Sequence, residues 1–164
     1  MKQFVIIGMG NFGRSMLEEL SDLDAEVLII DKDKELLNLY RDKVSDIHIA
    51  DVMNKEVLQS IIPKNVDGVV IDVGDRIEAS ILATNHLKKM GIENIIVTAQ
   101  NTEQGEILEI VGASRVVFPD QEAAKRIAPI LISSDLFNYF PISADIVIAE
   151  VKLPKELVGK TLIE

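Results

Sequence analysis

Six residues near the start of the chain, Gly8-Met9-Gly10-Asn11-Phe12-Gly13, have the G-x-G-x-x-G spacing that lets a backbone hold a phosphate. They follow the apolar run Phe4–Ile7 and open a stretch of helical period at Phe12. In that setting Gly8 makes the tight turn, Gly10 lets the main chain approach a pyrophosphate, and Gly13 allows close packing of helix on strand. The free N–H groups and the positive end of the helix then face the anion. Asp31 closes the second apolar run. A carboxylate there accepts both ribose hydroxyls of an adenosine and repels a 2′-phosphate, which disfavours NADP. The competing reading of Asp31 is a cap on the helix that follows. Asp51 and Val52 come after the third run, where the Asp51 side chain and the Val52 backbone would bond an adenine edge. Asp51 reads almost as well as an N-cap for a helix near Asn54. Val73-Gly74-Asp75 ends the fourth run. Strand carboxyl ends line the ligand crevice of a doubly wound sheet, and Gly74 leaves room there. Asp75 beside a phosphate requires a compensating Arg14, Arg76 or bound cation.

Strands and helices must alternate to bring these groups together. Short β-branched runs occur at Phe4–Ile7, Glu26–Ile30, Ile47–Ala50, Gly68–Val73, Asn94–Thr98 and Arg115–Phe118. Amphipathic stretches lie between and after them, at Phe12–Leu20, Lys34–Lys43, Lys55–Ile62, Arg76–Met90, Thr102–Val111 and Gln121–Ile132. Alternation at this spacing predicts βαβ units and a parallel sheet. Continuously apolar strands predict helices on both faces. Gly91 and Gly112 are placed to end two of the helices. The rhythm changes near residue 133. Ser133-Ser134-Asp135 reads as an N-cap signal and Leu136–Phe140 as one or two helical turns stopped by Pro141. Ile146–Leu153 reads as a strand outside the βα rhythm. A lone strand is not stable. Residues 141–164 are therefore expected to begin a second subdomain, truncated or completed by another chain, after a first domain over 1–140.

Composition narrows the function classes. The 164 residues carry 27 acids against 17 bases, a formal net charge of −10. That balance opposes general nucleic-acid binding, which needs a basic face. No Cys is present, which excludes a disulfide scaffold, a thiol nucleophile and a Cys-ligated metal. Two His exclude a His-rich zinc site. No apolar run approaches the roughly 20 residues of a membrane helix. His48 and His86 have no obvious Ser or Asp partner at a strand end. The chain after the last βα unit is too short for the substrate region of a dehydrogenase, so catalysis is not expected.

The sequence resembles the RCK (KTN, TrkA-N) domains of the regulatory subunits of Trk and Ktr potassium-uptake systems. The resemblance rests on Phe4 through Gly13, on Ile77-Glu78-Ala79-Ser80-Ile81-Leu82-Ala83-Thr84, on Ala99-Gln100-Asn101 and on Leu108 through Pro119. It covers residues 3 to about 140, and Glu150 through Leu162 resembles the opening of the family's C-terminal subdomain. It implies an α/β, Rossmann-like doubly wound parallel sheet with a C-terminal helix and the start of a truncated second subdomain. It implies tight dimers and a gating ring beneath a membrane-embedded potassium channel or transporter subunit, in the cytoplasm at the inner face of the membrane. The implied ligand is ATP or ADP in the Ktr branch and NAD(H) in the Trk branch, and Ala99-Gln100-Asn101 is more Ktr-like. Carried over by position, the nucleotide contacts are Asn11, Asp31, Lys32, Asp33, Asp51, Val52, Val73, Gly74, Asp75, Thr98, Ala99, Gln100 and Gln104, beside the glycine loop itself. Two positions depart from the family's pattern. Asn11 stands where an Arg usually faces the phosphates, and Thr98 where Lys or Arg is common. Charge-assisted bonds to phosphate are the stronger ones, so AMP, ADP and NAD(H) stay open beside ATP. Asp120 stands where Ktr-type relatives usually carry Glu, near phosphates and a divalent cation. It reads as a Mg²⁺ or Ca²⁺ ligand or as the cap of a helix starting near Gln121.

The sequence therefore reads as a non-enzymatic, nucleotide-sensing regulatory subunit of a potassium-uptake system, homo-oligomeric, binding neither nucleic acid nor lipid directly. The rival readings are an NAD(H)-binding regulator of a Trk-type system and a small NAD-dependent oxidoreductase domain.

Overall fold

In the computed structural model, which describes residues 1–143, 145–159 and 161, the apolar runs become six parallel strands. They are β1 (Gln3–Ile7), β2 (Glu26–Asp31), β3 (Asp46–Ile49), β4 (Gly68–Ile71), β5 (Ile95–Thr98) and β6 (Arg115–Val117). Their order in the sheet is β3-β2-β1-β4-β5-β6. The helices α1 (Asn11–Asp22), α2 (Lys34–Asn38), α3 (Lys55–Ile61), α4 (Ile77–Lys89) and α5 (Thr102–Val111) connect them. The strand order reverses between β1 and β4, and at that switch point two βαβ halves leave a crevice at the carboxyl edge.

Both sheet faces are buried, and the period-two alternation of each strand divides the core. Val5, Ile7, Leu28, Ile30, Val69 and Ile71 pack with Leu58, Ala83, Leu87 and Leu108 of α3, α4 and α5. Ile6, Val27, Ile29 and Val70 pack on the other face with Leu17 of α1 and Leu37 of α2. Helices on two faces are why these strands read as unbroken apolar runs.

Helix boundaries follow local chemistry. Asn101 caps α5 by accepting from Gln104 N, and Gly112 ends it with φ 125°. Gly91 follows α4 at φ 87°. The stretch expected as one helix over Lys34–Lys43 is split. α2 ends at Asn38, and a 3-10 turn over Arg41–Lys43 leads into β3.

The chain divides into two compact units, Met1–Phe118 and the residues from Pro119 on. The second unit holds α6 (Pro119–Ile132), β7 (Leu136–Pro141) and β8 (Val147–Val151). Two expectations are corrected here. Leu136–Phe140 is a strand, not helical turns: Leu, Phe, Tyr and Phe suit a pleated surface better than a short helix. The strand expected to stand alone has a partner, since β7 and β8 form an antiparallel hairpin with Tyr139 opposite Ala149 and Phe140 opposite Ile148. Pairing answers the instability of a single strand, and the aromatic residues of β7 supply cross-strand contacts.

Candidate functional site: the glycine loop and the carboxyl edge of the sheet

The register of the parallel sheet decides which residues meet at the crevice. Ile7 pairs with Ile30 on β2 and with Ile71 on β4, and Ile71 pairs with Val97 on β5. One residue further along, Asp31, Gly8, Asp72 and Thr98 fall in a single row across the carboxyl edge. Gly8 therefore sits between two acids. Its amide donates to Ile30 O at 2.8 Å, and Asp72 N donates to Ile7 O at 2.8 Å. Gly8 has φ 87°, and a Cβ there would run into the Asp72 carbonyl. Only glycine makes this turn so close to β4.

Asp31 does more than end β2. Its Oδ2 accepts from Met9 N at 2.8 Å and its Oδ1 from Asp33 N at 3.0 Å, tying the glycine loop to the β2–α2 turn. The helix cap is Asp33, whose Oδ1 accepts from Glu35 N and Leu36 N. The capping reading of Asp31 is thus corrected: the register leaves it at the strand end, two residues short of the cap. Asp51 is corrected likewise. Asn54 caps α3, while Asp51 Oδ1 accepts from Met53 N at 3.0 Å in a local turn.

The remaining positions divide by burial. Asn11, Lys32, Asp33, Asp51, Gly74, Asp75 and Gln100 are exposed around the edge, while Gly10, Phe12, Asp31 and Thr98 are half-buried. Gly8, Met9, Gly13, Val52, Val73 and Ala99 are buried and offer a ligand backbone groups at most. Gln104 is 3% exposed, and its side chain points inward: Oε1 accepts from Gln100 N at 3.0 Å and Nε2 donates to Ser80 Oγ at 3.4 Å. It holds the Ala99-Gln100 turn in shape. Arg14 lies one turn into α1 and folds back on the loop, donating from Nε to Gly10 O at 3.2 Å and from a terminal nitrogen to Asn11 Oδ1 at 2.6 Å. A cation thus stands at the loop although Asn11 itself is neutral.

Asp120 belongs to the second unit. α6 begins at Pro119, so Asp120 is an exposed first-turn residue and not the helix cap. Proline at the first helical position, where no N–H is needed, starts the helix two residues earlier than expected. A first-turn carboxylate still complements the helix dipole. Among the described residues, no three His, Asp or Glu are grouped to hold a metal.

One site residue was not read from the sequence. Asp72 is 7% exposed at the base of the crevice. Its Oδ2 accepts from Gly13 N at 2.8 Å, at the start of α1, and its Oδ1 from Thr98 Oγ1 at 3.0 Å. A Cβ at Gly10 would run into the same carboxylate. The available signal was a lone acid interrupting the apolar run Gly68–Val73.

A parallel sheet with a glycine loop at its switch point is shared by many proteins, and the sequence comparison decides among them. The family model for the TrkA-N domain matches residues 4–119. The chain belongs to the TrkA-N family. This TrkA-N chain is 35% identical to Ktr system potassium uptake protein C of Bacillus subtilis over 99% of its own length and 74% of the relative's. It is 34% identical to Ktr system potassium uptake protein A of the same organism over 99% and 73%. The TrkA-N domain of the Escherichia coli inner membrane protein ybaL has the same fold (TM-score 0.70, 18% identity, 79% of this chain and 96% of that one). So do the GsuK channel bound to NAD (TM-score 0.66, 14% identity, 79% and 23%) and the Shewanella denitrificans Kef C-terminal domain in AMP-bound form (TM-score 0.65, 17% identity, 80% and 82%).

Proposed function

We propose that this TrkA-N chain is a regulatory subunit of a Ktr-type potassium-uptake system and senses an adenine nucleotide at the glycine loop. The observation that carries the reading is the row Asp31–Gly8–Asp72 at the switch point, with Asp31 bonded to Met9 N, in a chain similar over nearly its whole length to Ktr potassium uptake proteins. The loop and the start of α1 receive phosphate, Asp31 receives the ribose, and the Asp51–Val52 turn receives the base. Val73, Gly74, Asp75 and the Thr98–Gln100 turn line the far side. No redox or hydrolytic step is assigned to the site: the ligand's role is to shift the population of regulatory conformations passed to the pore. The subunit works in the cytoplasm, at the inner face of the membrane, as a homo-oligomer on a membrane-embedded partner. Among the described residues no helix is long and apolar enough to cross a membrane.

NAD(H) is the second reading, favoured by the structural likeness to a channel bound to NAD. A divalent cation, Mg²⁺ or Ca²⁺, is proposed at Asp120. Asp120 supplies one carboxylate, so the other oxygens come from phosphate, water or a partner copy. Calorimetry of the chain with AMP, ADP, ATP, NAD⁺ and NADH, each with Mg²⁺, Ca²⁺ or EDTA, tests all three statements. Saturable binding of at least one adenosine ligand is expected, with divalent-dependent affinity that Asp120→Asn largely removes. Absence of any nucleotide binding rejects the sensor, and turnover of NADH with candidate substrates rejects the regulatory reading in favour of an oxidoreductase.

A further inference from the structure

We infer that Asp72 is a built-in anion that limits the phosphate charge this site accepts, so that the chain prefers adenosine ligands of low charge, AMP or NAD(H), over ADP and ATP. The inference rests on the nucleotide reading above and deepens it by naming the ligand class.

Asp72 occupies the place where phosphate recognition in such a fold is strongest. Its Oδ2 takes the Gly13 amide, one of the N–H groups that the start of α1 presents to an anion. Its Oδ1 takes the Thr98 hydroxyl from β5. The carboxylate lies directly beneath Gly10, so close that a Cβ on Gly10 would overlap it. Buried charge of this kind persists only when it is hydrogen-bonded, and both oxygens are. The consequence for a ligand is twofold. One amide is withdrawn from the phosphate, and a fixed negative charge faces it from below in a poorly solvated spot, where repulsion is weakly screened. Asp31 and Asp75 flank the same loops, while Arg14 is the one cation bonded to the glycine loop among the described residues. A single guanidinium at the rim balances a monophosphate or a dinucleotide diester better than a chain of phosphates.

Asp72→Asn keeps the shape and an acceptor for Gly13 N, and its amide donates to Thr98 Oγ1, whose hydroxyl turns to Ile71 O, already 3.4 Å away. The variant removes the charge and little else. Calorimetry in EDTA with adenosine, AMP, NAD⁺, ADP and ATP compares it with the wild-type chain. The wild type should bind AMP or NAD⁺ at least as tightly as ATP. Asp72→Asn should gain about tenfold for ADP and ATP (each tenfold is 1.4 kcal/mol) and change little for adenosine. A wild-type chain that binds ATP tenfold more tightly than AMP overturns the inference, and this arm decides even if the variant fails to fold. A folded variant, checked by thermal melting, whose ADP and ATP affinities do not rise relative to adenosine overturns it too, and leaves the nucleotide reading standing. Absence of binding by every ligand to both proteins removes the nucleotide reading and the inference with it.

Discussion

Asp31 holds two backbone N–H groups at once, Met9 N of the glycine loop and Asp33 N of the turn before α2. A carboxylate oxygen has two lone pairs, so each can still accept a ribose hydroxyl. Asp31→Ala is expected to weaken every adenosine-containing ligand by about 1.5–3 kcal/mol, the scale of hydrogen bonds to a charged group. Equal affinities for variant and wild type would take Asp31 out of the site. Asn11 is the exposed first residue of α1, and its side chain is the acceptor for Arg14. Replacing it by Arg places a second cation at the loop and removes that acceptor. Asn11→Arg should raise ATP affinity more than AMP affinity, because charge-assisted bonds to phosphate grow with the number of phosphate oxygens presented. Equal gains for the two ligands would show that the loop does not sense phosphate number.

At the scale of elements, the site is only as precise as the ends of α1, α4 and α5. Asn101 and Gln104 fix the start of α5 and, through Gln100 N, the turn beside Thr98. Gly112 closes the same helix. Its amide donates to Leu108 O and Glu109 O at φ 125°, and a Cβ there would press on the Lys88 side chain of α4. Gly112→Ala is expected to cost about 1–2 kcal/mol from backbone conformation alone, with a further cost from the displaced Lys88. Gly91→Ala is the control, since its φ of 87° is similarly strained but the space around it is open. Thermal melting should therefore rank Gly112→Ala below Gly91→Ala and both below wild type. The reverse order would mean that Lys88 yields freely and the α4–α5 contact is loose.

At the scale of the molecule, the two units differ in kind. The first has a core on each side of its sheet. α6 has no buried residue and β8 is exposed throughout. Phe137 is 53% exposed, and Ile127, Leu131, Ile148 and Val151 are open to solvent as well. Phe140 is partly covered within the unit by Arg126, whose guanidinium lies 4.7 Å from the ring centroid. Apolar surface on this scale marks an interaction site, and aromatic residues anchor such sites. The full chain is expected to be at least a dimer at micromolar concentration, with Phe137, Tyr139 and Phe140 among the contacts. Light scattering that gives a monomer would contradict this. A fragment of residues 1–118 should melt cooperatively and, in EDTA, where the cation proposed at Asp120 plays no part, keep the full chain's affinity for adenosine, because the core and the glycine loop lie wholly within it. Loss of cooperative melting in that fragment would show that the second unit is needed for the first to fold.

The α/β alternation, the glycine loop and the strand-end position of Asp31 were legible because each depends on local spacing: apolar runs bounded by turns, a phosphate-loop pattern after a strand, an acid at the next strand's end. The six-strand parallel sheet follows from those units with little ambiguity. Other features depend on register and on partners distant in sequence. Whether Asp31 or Asp33, and Asp51 or Asn54, caps a helix is a matter of two or three residues, and short-range propensity favours all four nearly equally. The tertiary structure chose Asp33 and Asn54. Leu136–Phe140 had both a cap signal before it and a proline after it, yet it is a strand, because β8 offers a ladder of backbone partners that a single helical turn cannot match. Asp72 was hidden for the same reason. In sequence it is an acid within an apolar run. Only the pairing of β1 with β4 and of β4 with β5 brings it under Gly10, between Gly13 N and Thr98, where a carboxylate acquires donors for both its oxygens.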